Sequence, residues 1–187
     1  ATFSKYPLKN SRTIGLTDNK LNLCQVNDIE AGRHKLSIYN THLHSYHIKN
    51  QDLEGFNSEL KWDRNLGALF GILRKLKVVY ARRLNQVEAI HDDVLCNKNK
   101  ILICGDFNDT PNSYPYHLMK SGLNDAFLES GFGTGGTYRG GTITRQLPSI
   151  RIDYILCDSS FQVHSFDILR YPYSDHYPVV SELSFKK

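Results

Sequence analysis

Short runs in which apolar and polar positions alternate lie toward both ends of the chain, and the middle switches to a spacing of three or four. Thr2–Tyr6, Leu21–Val26 and Lys35–Asn40 read as successive strands. Pro7 closes the first, which suits an edge or a strand end because proline has no N–H for the ladder. From about Leu60 to Asn97 the apolar positions are Leu66, Leu69, Phe70 and Leu73, then Ala81, Leu84, Val87, Ile90 and Val94, which predicts two helices or one long kinked helix. The stretch before it, His44 to Asp63, is polar and aromatic without a period and reads as a long loop, a kind of segment that often carries function.

Ile101–Cys104 is apolar without a break, as expected of a strand covered on both faces, and it runs straight into Gly105–Asp106–Phe107–Asn108–Asp109. A short helix around Tyr116–Ser121 and a glycine-rich stretch, Gly131 to Gly141, follow. Strands are then expected at Ile152–Cys157, Phe161–Leu169 and Val179–Phe185. Strands on both sides of a helical block give an α+β class, with sheets flanked by helices.

At 187 residues with 40% hydrophobic content, one domain spanning 1–187 with a sizeable core is expected. The 23 basic against 19 acidic residues leave a net charge of +4, which permits a polyanionic partner without demanding one. No apolar run approaches the roughly 20 residues of a membrane helix. Cys24, Cys96, Cys104 and Cys157 form no C-x-x-C pair and read as buried free thiols.

Polar clusters sit just beyond several apolar runs, where sites in sheet-containing folds collect. Strand alternation would put Asp106 and Asn108 on one face and Phe107 on the other. A carboxylate and an amide at that spacing can orient a water and hold a phosphoryl oxygen, while the same residues also suit an Asx-turn. In Arg151–Ile155, Asp153 is expected to be half-buried and to need a partner, either an imidazole or an arginine. Ser174–Asp175–His176 precedes a strand and joins an acid to a histidine, and His42 ends the third strand. Tyr138, Arg145 and Arg151, in or near the glycine-rich stretch, are candidates for contact with a substrate phosphate.

The ordered set Thr41–His42–Leu43, Gly105–Asp106–Phe107–Asn108, Arg151–Ile152–Asp153–Tyr154–Ile155 and Ser174–Asp175–His176 resembles the endonuclease/exonuclease/phosphatase superfamily of deoxyribonuclease I-like hydrolases. The resemblance implies a four-layer α/β sandwich with two central sheets and one active site at the sheet ends. It implies that Asp106 orients or deprotonates the attacking water, and that Asn108 and His42 contact the phosphate. Asp153 would pair with His176, and Asp175 would bind or sit beside a Mg²⁺ or Mn²⁺ ion. The family's first two strands carry an active-site Asn and a metal-binding Glu in a Gln–Glu pair, and nothing from Ala1 to Pro7 matches them. Glu30, Glu54 and Glu59 stand in no matching context either. On this reading the chain is the N-terminally truncated C-terminal two-thirds of the domain, weak or inactive alone, with an exposed sheet edge that promotes self-association.

The function expected is hydrolysis of a phosphoester with a divalent metal, on nucleic acid, a phospholipid head group or a small molecule. The alternative from another class is a catalytically silent domain that binds phosphate or a partner. A zinc site at His42, His44 and His47 is disfavoured, because the aspartate that should precede the last histidine is missing and no downstream histidine set completes it. Gly131–Gly136 lacks the Gly–Lys–Ser/Thr ending of a P-loop.

Overall fold

The computed structural model describes residues 1–15, 23–45, 62–139 and 149–186. The first strand is β1, Lys9–Gly15, which pairs antiparallel with β2, Leu23–Ala31. Thr2–Tyr6 is not a strand: these residues are largely exposed coil and bend, and pairing begins beyond Pro7. Strand β1 is polar and open to solvent, so its position comes from its ladder with β2 rather than from an apolar face.

A two-residue turn joins β2 to β3, His34–His42, with Ala31 opposite His34. Gly32 sits in that turn at φ +60°, a conformation that costs glycine nothing. One unbroken 35-residue helix, α1 (Trp62–Cys96), then crosses to β4, Lys100–Asp106, which lies parallel to β3. The buried stripe of α1 runs through Arg83, Gln86, Val87 and Ile90, whereas Leu73 and Ala81, expected on it, are exposed. The side chains of Leu66, Leu69 and Phe70 and most of the expected long loop lie outside the described residues.

Helix α2, Tyr114–Met119, starts at Ser113, whose hydroxyl accepts from the Tyr116 N–H. After the short β5, Asn124–Asp125, comes α3, Ala126–Ser130, capped by the Asp125 carboxylate. Strand β6, Asp153–Cys157, pairs antiparallel with β4 and with β5. The sheet order is β1-β2-β3-β4-β6-β5, and β7 (Phe161–Ile168) with β8 (Val179–Phe185) forms a separate two-stranded sheet.

Each face of the larger sheet is covered. On one, Val26, Tyr39, Ile103 and Tyr154 pack with Val87 and Ile90 of α1 and with Tyr116 and Met119 of α2. On the other, Ile29, Leu36 and Cys157 meet Phe161, Val163 and Phe166 of β7. Strand β4 serves both cores, with Ile101 and Ile103 toward the helices and Leu102 toward β7. The described residues thus supply three layers: helices, a mixed sheet and a second sheet. The fold is the α+β arrangement expected.

All four cysteines are free; Cys24 and Cys157 are buried, but Cys96, at the end of α1, is exposed. No described helix is long and apolar enough to cross a membrane. The expected self-association finds no support in the structure.

Gly105 is the one position where β4 tolerates no side chain. Its φ is +136°, and a Cβ there would stand 1.9 Å from the Thr41 carbonyl oxygen on β3. Relieving that overlap means separating the two strands that carry the candidate site. Gly105→Ala is expected to cost roughly 3 kcal/mol or more, which at this size lowers Tm by roughly 6–12 °C. Thermal unfolding followed by circular dichroism checks it, and an unchanged Tm would contradict the close approach.

Candidate active site

Register brings the chemistry together. His42 pairs with Asp106 across β3 and β4, and Asp106 with Asp153 across β4 and β6, so three strand ends present their polar side chains in one row. The fourth element is the segment before β8, where an isolated bridge sets Tyr138 opposite His176.

Asp153 and His176 form a dyad, with Nδ1 of His176 2.9 Å from Oδ2 of Asp153. Asp153 is held from behind by Thr137, a fully buried residue whose Oγ1 accepts the N–H groups of Ile152 and Asp153, each at 3.1 Å. The ring of Tyr138 packs against His176 with 4.8 Å between centroids.

Asp106 Oδ2 is the hub. It accepts from Asn108 Nδ2 at 3.0 Å, and it faces the Nε2 atoms of His42 at 3.7 Å and His176 at 3.9 Å. The last two separations exceed hydrogen-bond range, so neither imidazole bonds to Asp106 directly. Asn108 reaches Asp106 because the strand stops: its φ is +51°, and its N–H donates to Asp106 Oδ1 at 2.7 Å. That contact is the Asx-turn the sequence allowed, and the same turn swings the Asn108 amide onto Asp106 and onto the Leu43 carbonyl.

Burial and the neighbouring Asp153 charge push the Asp106 carboxyl above its ordinary value. The hydrogen bond that His176 donates to Asp153 is the main cause of a raised pKa at His176, offset in part by desolvation. Asp106, Asp153 and His176 can present ligand atoms all within 4.8 Å of one another. Two crowded carboxylates, one of them paying for its burial, are a donor set that a hard divalent cation would relieve, so these residues fit one.

Asp175 stands outside that group. Its carboxylate is exposed and accepts from Ser174 Oγ at 3.2 Å, which places it at the rim rather than among the clustered ligands.

Arg151, expected to meet a substrate phosphate, is instead buried: its guanidinium pairs with Asp125 at 2.6 Å and lies over the rings of Phe127 and Tyr154 at 4.6 and 4.8 Å. Asp125 needed a cation in the interior, and Arg151 supplies it. Arg145 and His47 lie outside the described residues.

Sequence reading passed over Thr137, Arg83, Gln86 and Asp109. Arg83 is fully buried and donates from Nη1 to Asp109 at 2.7 Å, just past Asn108. The available signal was an arginine four residues before Val87 and seven before Ile90, in line with the core positions of α1.

The endonuclease/exonuclease/phosphatase family model matches residues 1–176. The chain belongs to that family. Family members are hydrolases acting on phosphoesters. Among solved structures it is similar to the catalytic domain of human nocturnin with bound sulfate, at 22% identity and a TM-score of 0.60 over 97% of this chain and 60% of that one. A Neisseria 3′ phosphatase bound to a product DNA hairpin gives 16% identity and a TM-score of 0.65, covering 97% and 73%. A Bacteroides thetaiotaomicron family member gives 15% and 0.67, covering 98% and 67%. No curated protein matches the chain. The chain therefore spans some two-thirds of the length of these family folds.

The raised pKa values set a pH dependence. Both His176 and Asp106 hold protons in the folded protein at pH values where the unfolded chain has lost them, so metal-free stability falls as pH rises through these titrations. The contribution of His176 is fully present below its ordinary value of 6.5 and is lost as pH climbs through the raised one. Asp153→Asn removes the main cause and should lower the His176 pKa. An NMR titration of the imidazole in EDTA reads this; a value at or above that of the unsubstituted protein would contradict the dyad.

Proposed function

We propose that this protein hydrolyses a phosphoester with the help of a divalent cation, Mg²⁺ or Mn²⁺, at the Asp106, Asp153 and His176 cluster. The observation that carries the reading is the surround of Asp106 Oδ2: an amide and two imidazoles face one half-buried carboxylate oxygen, and one imidazole is anchored by a second carboxylate. Such a set can take a proton from water on one side and meet phosphoryl charge with N–H groups on the other. The family supports the reaction class, and the nocturnin structure, with its sulfate, supports an anion-accepting site in this fold.

In this scheme Asp106 orients the attacking water and accepts its proton, as a carboxylate within hydrogen-bond reach of that water can. Asp153 fixes the His176 tautomer through Nδ1 and leaves Nε2 free to face the phosphoryl group. His42, half-exposed at the mouth, and Asn108 contact the phosphoryl oxygens. Tyr138 flanks His176 and borders the substrate. Asp106 and Asp153 would hold the cation, with Asp175 beside it at the rim, and the cation would supply charge neutralisation at the phosphoryl group.

The test uses the full-length protein and bis-p-nitrophenyl phosphate. Hydrolysis is expected to need Mg²⁺ or Mn²⁺ and to stop in EDTA, and Asp106→Asn should lower kcat by about 10²–10⁴-fold, the usual contribution of a general base. Undiminished turnover after rigorous chelation, or an active Asp106→Asn, would overturn the scheme.

A further inference from the structure

Helix α1 holds the two loops that carry the site. Arg83 is 0% exposed, and its planar fork points two ways: Nη1 to the Asp109 carboxylate at 2.7 Å, Nε and Nη2 to the His44 carbonyl at 3.1 and 2.8 Å. Gln86, also 0% exposed, accepts the N–H of the same His44 at 2.9 Å. His44, two residues beyond His42, is thus gripped by α1 through both its own N–H and its own carbonyl, and Asp109, one residue beyond Asn108, is gripped by the same guanidinium.

The two loops are also tied to each other. Leu43 N–H donates to the Asp106 carbonyl at 2.9 Å, and Asn108 Nδ2 donates to the Leu43 carbonyl at 3.0 Å. Asp109's own carbonyl accepts from Tyr154 at 2.9 Å, adding β6 to the assembly. The bonds close a circuit from α1 to His44, across Leu43 to Asp106 and Asn108, and back through Asp109 to α1.

We infer that Arg83 is a positioning residue that sets the spacing of His42, Asp106 and Asn108 and so governs turnover at the proposed site, assisted by Gln86. The inference rests on the hydrolase reading for its kinetic consequence, while the geometric consequence stands apart from it. Stability alone gives a poor account of the arrangement, because burying a charge pair generally gains little over packed apolar side chains of the same volume. What the guanidinium supplies, and a lysine cannot, is two fixed directions at once.

Arg83→Lys keeps the charge and loses the fork. Its kcat on bis-p-nitrophenyl phosphate should fall about 10–100-fold, the usual effect of a misplacement near 1 Å, with KM changed by less than about twofold. Arg12→Ala serves as control: it removes the Arg12–Asp93 pair, which ties β1 to the same helix away from the site, and should lower Tm without changing kcat. Amide hydrogen exchange gives the reading that needs no activity. Protection at Leu43 and Asn108 should drop in Arg83→Lys while that of Ile101 and Ile103 holds. Gln86→Ala should show both effects in weaker form and keeps the test open if Arg83→Lys does not fold. Wild-type kcat in Arg83→Lys, or unchanged exchange at Leu43 and Asn108 in Arg83→Lys and Gln86→Ala, would overturn the inference. An unsubstituted protein without phosphoesterase activity would instead overturn the hydrolase reading, leaving exchange to decide this one.

Discussion

The parallel pairing of β4 with β3, and its antiparallel pairing with β6, brings His42, Asp106 and Asp153 of the candidate site together. In that register residues 42, 106 and 153 fall on one line, and a slip by one residue would turn each side chain to the opposite face. Gly105 lets β4 run close enough to Thr41 for the register to form, and the turn at Asn108 ends the strand at the point where its carboxylate is needed. Two apolar cores, one on each face, make the register costly to leave.

Against this frame the site is electrostatically unfinished. Asp106 and Asp153 lie close; burial first and the Asp153 charge second raise the Asp106 carboxyl, and the bond to Asp153 raises His176. His176 answers part of that charge through its bond to Asp153. The interior solves the same problem fully elsewhere, at Asp125 with Arg151 and at Asp109 with Arg83. The two carboxylates paired with guanidinium lie in the interior, whereas Asp153, paired with an imidazole, lies at the candidate site.

That contrast also shows what the sequence could and could not tell. The strand ends were legible, because an unbroken apolar run such as Ile101–Cys104 followed by polar residues has few other meanings. The Asp153–His176 pairing was legible from the family order of the motifs and from the need of a half-buried carboxylate for a partner. Arg151 was misread because its sequence position beside Asp153 hides a partner, Asp125, that only the sheet brings near. Strand β1 was misplaced because its residues are polar and exposed and carry no burial pattern. Arg83 was missed because a basic residue on a helix normally means solvent, and only its alignment with Val87 and Ile90 says otherwise.

The central claim is that the Asp106 and Asp153 pair is a cation site placed to serve a phosphoester. Crystals of the full-length protein soaked in Mn²⁺ and measured for anomalous scattering test it most directly. The account predicts a peak within about 2.0–2.6 Å of carboxylate oxygens of this pair, the range for hard cations on oxygen. A peak only elsewhere, or none at saturating Mn²⁺, would contradict it.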